Sequence, residues 1–181
     1  MKVLTVSRFY QKGHAREGQP TFFVEKICNA LGVLKSSALP VYNTDVAMCV
    51  GKKKHTIRMG QRWKIGDDIS IRVWSGLPYR SKQIEIAVTK VANIFNFQII
   101  QKETEWEFFI NGIKVGSNVH QIMQKNLLPT IAKNDGLTVN DFLSWFRPKK
   151  YPFHFAGQII CWSNEVNYTQ PENVMTGSHC I

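Results

Sequence analysis

Apolar and polar positions set out the elements of this chain in order. Val3 and Leu4, followed by Thr5 and Val6, predict a short opening strand over Lys2–Ser7. Residues 7–20 are polar and punctuated by Gly13, Gly18 and Pro20, the pattern of an exposed loop. Thr21 is placed to cap a helix whose apolar face is Phe22, Phe23, Ile27, Ala30 and Leu31, with Gly32 ending it. Asp45–Val50 predicts the last turns of a second short helix. From Trp63 the period changes to two. Ile65-Gly66-Asp67-Asp68 is a turn, after which Ile69, Ile71 and Val73 alternate with Ser70, Arg72 and Trp74. That phase turns Arg72 and Trp74 away from the core set.

Ser75-Gly76-Leu77-Pro78 interrupts the pattern as a loop, and residues 83–100 supply one long strand or two broken ones. Trp106–Ile110 and Ile113–Val115 flank Asn111-Gly112, whose positive φ preference predicts a tight type I′ hairpin. Residues 117–132 predict a helix broken near Pro129. Thr138-Val139-Asn140-Asp141 resembles a capping box opening a helix through Phe142, Leu143, Trp145 and Phe146, which Pro148 stops. Phe155–Trp162 closes the pattern as an apolar strand, and the polar tail from about residue 163 reads as loose. Trp106, Phe108, Phe109, Trp145 and Phe146 are core candidates. No repeat or linker divides the chain, so residues 1–181 are read as a single α+β domain with an N-terminal strand–helix elaboration.

Composition narrows the class. A hydrophobic share of 44% with 12% aromatic residues excludes wholesale disorder. No run approaches the roughly 18 apolar residues of a membrane span, and Arg8 breaks the N-terminal run too early for a signal peptide. A cytoplasmic protein with no membrane partner is expected. Cys28, Cys49, Cys161 and Cys180 form no CxxC pair and read as free thiols, Cys28 and Cys161 buried. The histidines lack metal-ligand spacing, so neither a metal nor another cofactor is expected.

Charge is what changes the picture. The net charge is +10, and Gly51–Lys82 holds nine Lys/Arg against Asp67 and Asp68, a local excess of +7. Trp63, Trp74 and Tyr79 are interleaved with those cations. Cations face phosphate and rings stack on bases, so the expected partner is a nucleic acid, RNA first, or a modified nucleoside. Gly51, Lys54, Arg58, Trp63, Arg72, Trp74, Tyr79, Arg80 and Lys82 are the candidate ligand-binding residues. The loop 75–83 is an expected rim, since loops on rigid scaffolds carry binding.

At the head of this stretch, Gly51-Lys52-Lys53-Lys54-His55-Thr56-Ile57-Arg58 fits G-x-K-x-x-T/E-x-R. Gly51 permits a sharp turn, and in an extended segment Lys54, Thr56 and Arg58 share one face. Lys53 would join that face only if the turn rotates it inward. A threonine hydroxyl needs a neighbouring base to become a nucleophile, and a desolvated lysine can serve. The plainer alternative is an ordinary strand threonine beside a solvated Lys53.

The motif resembles the ASCH family, relatives of the PUA domain, and Trp63-Lys64-Ile65-Gly66-Asp67 sits where that family has its GD turn. FFVEKI near Phe22, RVWSGLPYRSKQ and IAKNDGLTVNDF extend the likeness to ASCH-like proteins of bacteria and phages. The resemblance implies a small PUA-like β-barrel with flanking helices and a cleft beside the motif. Some small ASCH proteins are amidohydrolases that remove the acetyl group from N4-acetylcytidine with a lysine, a threonine and a glutamate. Lys53 and Thr56 match the first two, and the third falls at Asp135, or one residue earlier at Asn134. The implied alternative function is therefore an amidohydrolase with Lys53 as base, Thr56 as nucleophile and Asp135 as acid, departing from that subgroup at His55, Met59 and the aspartate itself.

Overall fold

The structure, a computed structural model, describes residues 1–33, 41–103, 105–119, 126–147 and 152–168. Its strands are β1 (Lys2–Thr5), β2 (His55–Met59), β3 (Asp68–Trp74), β4 (Gln83–Lys90), β5 (Asn93–Lys102), β6 (Glu105–Ile110), β7 (Ile113–Ser117) and β8 (His154–Cys161). The helices are α1 (Phe23–Leu31), α2 (Thr44–Ala47), α3 (Leu128–Asn134) and α4 (Val139–Trp145). Two sheets result. One has the order β1-β3-β4, with β1 parallel to β3, and the other is an antiparallel sheet in the order β2-β8-β5-β6-β7. The fold is α+β, and no closed barrel is found among the described residues.

The alternation in β3 is realised directly. Ile69, Ile71 and Val73 are fully buried while Arg72 and Trp74 are half-exposed. Asn111 and Gly112 take φ of 50° and 81° in the β6–β7 turn, and the Thr138 hydroxyl accepts from the Asp141 amide at the start of α4. Residues 83–100 resolve into two strands, β4 and the start of β5.

Four local expectations are revised. Phe22, in a left-handed conformation at φ 56°, occupies the N-cap of α1, while Thr21 Oγ1 accepts from the Phe23 amide one residue earlier than a cap would. The fully buried residues of α1 are Phe23, Val24, Glu25, Ile27 and Cys28, with Leu31 partly buried against the core, so the face includes Val24, Glu25 and Cys28 and does not centre on Phe22 and Ala30. Ser117 ends β7, and Pro129 starts α3 instead of breaking a longer helix, its missing amide being one that no helix bond uses. Pro148 and residues 120–125 of that expected helix lie outside the described residues, as does Cys180. The tail is not loose at its start, because Val166 and Tyr168 are buried. Cys28 and Cys161 are buried, and no helix among the described residues is long and apolar enough to cross a membrane.

Gly157 of β8 lies where β2 passes closest. A Cβ there would collide with the Arg58 carbonyl and stand 3.0 Å from Met59 Cα, so only glycine allows this pairing. The register that follows sets His55 opposite Cys161 and fixes the segment just before it.

Candidate functional site

Residues 51–54 cross between three parts of the chain. The Lys53 amide donates to Lys26 O of α1 at 2.9 Å and the Lys54 amide to Asn134 O of α3 at 2.7 Å. Just after β8, Trp162 Nε1 donates to Lys53 O at 2.8 Å and the Trp162 amide to Lys54 O at 3.1 Å. The backbone of the motif is thereby satisfied from all sides, as a buried connection requires.

Lys53 points inward. It is 1% exposed, and its ammonium donates to Asp135 Oδ1 at 2.5 Å and to Asp135 O at 2.7 Å. It also lies 4.2 Å from the centre of the Phe23 ring. The expectation of a solvated Lys53 is overturned by burial between α1 and α3. The residue that accompanies it is His55, not Thr56, since side chains alternate along the strand. His55 is fully buried, with Nδ1 3.6 Å from Asp135 Oδ1 and Nε2 2.8 Å from the Tyr168 hydroxyl. That hydroxyl also accepts from Asn134 Nδ2 at 3.0 Å, while His55 Nδ1 is buried without a hydrogen-bond partner among the described residues, Asp135 lying just beyond reach.

Burial pushes the Lys53 ammonium below the ordinary lysine range, with Asp135 opposing the shift. Burial likewise lowers His55. At Asp135 burial acts upward, but Lys53 and His55 outweigh it and hold the carboxyl below its usual range. The group is a closed ion pair with a neutral imidazole beside it.

Above this pair lies a cavity of about 480 Å³. Gly51, Lys52 and Lys54 form one side, and Lys133, Asn134, Gly136, Leu137 and Thr138 form another. Tyr10, Arg16, Lys26 and Asp141 complete it. Five cations therefore face one carboxylate. Asp141 is already engaged, accepting from Arg16 Nη1 and from the Tyr10 hydroxyl, each at 3.2 Å. Burial and that carboxylate push the Tyr10 hydroxyl up to about 12. The Lys26 ammonium donates to Gly136 O at 2.7 Å and Thr21 O at 3.0 Å, and burial, with Arg16 nearby, lowers its pKa. Lys54 meets Glu165 at 2.6 Å, while Lys52 and Lys133 have no carboxylate within ion-pair distance among the described residues.

Of the residues expected at the site, Gly51 and Lys54 line the cavity, and Lys53 and Asp135 lie together beneath its wall. Thr56 is buried in β2, and among the described residues no side-chain hydrogen bond joins it to Lys53 or Asp135. Arg58 turns to the other sheet, donating to Thr5 O at 2.5 Å, which makes it a tie between β2 and β1. Trp63 is corrected from stacking platform to core: it is 3% exposed, and its backbone exchanges hydrogen bonds with the Gln158 amide group. Arg72 is held by Ser70 and Glu85. Trp74 ends β3, Tyr79, Arg80 and Lys82 belong to the β3–β4 connection, and none of the four lines the cavity.

Sequence reasoning missed Tyr10, Arg16, Lys26, Lys133 and Asp141, together with His55 and Tyr168, and offered Asn134 only as the alternative to Asp135. The one available signal was three cations, Arg8, Lys12 and Arg16, around Tyr10 in the loop 7–20. Comparisons of the chain with family models, with curated proteins and with solved structures give no match.

Proposed function

We propose that the protein binds a phosphate-bearing nucleotide, as a unit of RNA or another nucleic acid or as a modified nucleotide, in the cavity between the Gly51–Lys54 segment and α3. One observation carries this reading: among the described residues, five cations line a single cavity whose only lining carboxylate is already paired. The volume of about 480 Å³ suits one nucleotide, within the range of about 300–1,000 Å³ for small-ligand sites. Lys52 and Lys133 would face phosphate as point charges, and the Thr138 hydroxyl and Asn134 amide would meet a base or sugar. The resemblance of Gly51–Arg58 to the ASCH motif supports the same reading.

Hydrolysis of an acylated cytidine is favoured less. Lys53 is occupied by Asp135, and neither Lys53 nor Thr56 lines the cavity. The test is calorimetric titration with cytidine, cytidine monophosphate and inorganic phosphate. The monophosphate should bind at least tenfold tighter than cytidine, and a Lys52→Ala/Lys133→Ala variant should lose that difference. Equal affinity for cytidine and its phosphate would refute the reading.

A further inference from the structure

The β3–β4 connection carries a feature that the cavity does not use. Tyr79 is 88% exposed and Leu77 68% exposed, at the tip of a loop that is stitched rather than slack. The Ser75 amide donates to Lys82 O, the Gly76 amide to Ser81 Oγ, and Ser81 Oγ to Leu77 O, all at 2.9 Å. Tyr79 has φ 61°, a conformation that bulky L residues seldom adopt. That conformation sets its ring 5.3 Å from Trp74, tilted by 51°. Arg80 and Lys82 follow Tyr79 in the same loop and have no carboxylate within ion-pair distance among the described residues.

The loop is joined to the cavity's own frame. Arg8 Nη1 donates to Ser75 O at 3.0 Å, and Tyr10, two residues along at a reach of about 7 Å, lines the cavity. An exposed Tyr79 ring backed by a half-exposed Trp74, with Arg80 and Lys82 close by in the chain, suits a base with its phosphates.

We propose that Tyr79 and Trp74 form a second contact for a single nucleic acid strand. An unpaired base lies against the Tyr79 ring while Arg8, Arg80 and Lys82 face the adjoining phosphates. This deepens the nucleotide reading of the cavity and rests on it for the chemistry of the ligand. The partner is then a strand rather than a free nucleotide, since a mononucleotide in the cavity cannot also cover the loop.

The test uses the full chain with uridine monophosphate, followed by calorimetry, and with a labelled 12-nucleotide oligouridylate, followed by anisotropy. The oligomer should bind more tightly than the mononucleotide. Tyr79→Gly, which suits the positive φ and spares the fold, should weaken oligomer binding about tenfold and leave the mononucleotide unchanged, while Tyr79→Phe should bind as the parent does. An oligomer no tighter than the mononucleotide, or one indifferent to Tyr79→Gly, overturns the second contact. So does a polyglutamate peptide that binds as well as the oligomer and depends equally on Tyr79, because the surface would then serve an acidic protein. If the oligomer binds through Tyr79 while the mononucleotide does not bind at all, the cavity reading fails and the loop contact stands.

Discussion

Lys53 and Asp135, 82 residues apart in the chain, meet at 2.5 Å with side chains only 1% and 9% exposed. Neither charge has bulk water to turn to, so each depends on the other. Removing one partner from such a buried pair costs about 3–5 kcal/mol, whereas replacing both with apolar groups is often close to neutral. Asp135→Asn should therefore lower the unfolding free energy by about 3 kcal/mol in urea titrations at pH 7. Lys53→Met combined with Asp135→Leu should recover at least half of that loss. A cost below about 1 kcal/mol for Asp135→Asn would mean that Lys53 does not rely on the carboxylate.

The same cluster makes stability depend on pH through His55. Its folded-state pKa is lowered by burial, so below about pH 6.5 the unfolded chain takes up a proton that the native protein refuses. Stability is then fully present above that pH and falls as the pH drops toward 5, by up to about 1.4 kcal/mol per pH unit. Asp135, also lowered, holds its contribution until the pH falls below about 4, and the lowered Lys53 adds stability only on the alkaline side. Between pH 7 and 5, His55→Gln should flatten the measured slope by about one proton. Identical slopes for the two proteins would exclude His55 as the source.

Gly157 offers a backbone test. Gly157→Ala forces a methyl group into the Arg58 carbonyl and should cost about 2–3 kcal/mol by separating β2 from β8. Because β2 carries His55, the His55–Tyr168 hydrogen bond should loosen as well, seen as faster exchange of the Tyr168 hydroxyl proton. A variant with parental melting temperature would contradict the close approach.

Glu165 occupies the Lys54 ammonium at 2.6 Å from a position 65% exposed on its own side chain. An exposed ion pair of that kind contributes little to stability, yet it competes with any anion for Lys54. Glu165→Gln should leave the melting temperature unchanged and tighten cytidine monophosphate binding about threefold. Weaker binding would mean that Glu165 helps to hold the ligand.

What the sequence disclosed and what it concealed divide along physical lines. Ile69, Ile71 and Val73 were legible because each side chain chooses its face by period alone, and Asn111-Gly112 because a tight turn needs those φ values. Thr138 was legible for the same local reason. Lys53 was not. Inside a Lys52-Lys53-Lys54 run it looks solvated, and only Asp135, brought across by α3, explains its burial. Arg16 and Tyr10 reach the cavity through Asp141, more than 120 residues away, and no local pattern announces that contact. Trp63 misled because interleaving with cations does not reveal which way a ring points, and Gln158 supplies the partner that draws its backbone inward.

The backbone anchoring of Lys53 and Lys54 has a consequence in time. Their partners are Lys26, Asn134 and Trp162, so the segment is complete only when α1, α3 and the residue after β8 have come together. Contacts of such wide sequence separation form slowly, because long loops must close before they are rewarded. Ligand competence should accordingly be the last property acquired on refolding, with cytidine monophosphate binding lagging the recovery of β-sheet circular dichroism in stopped-flow experiments. During synthesis, a chain that has not yet emerged through Trp162 would lack the hydrogen bonds that hold the Lys53 and Lys54 carbonyls in place.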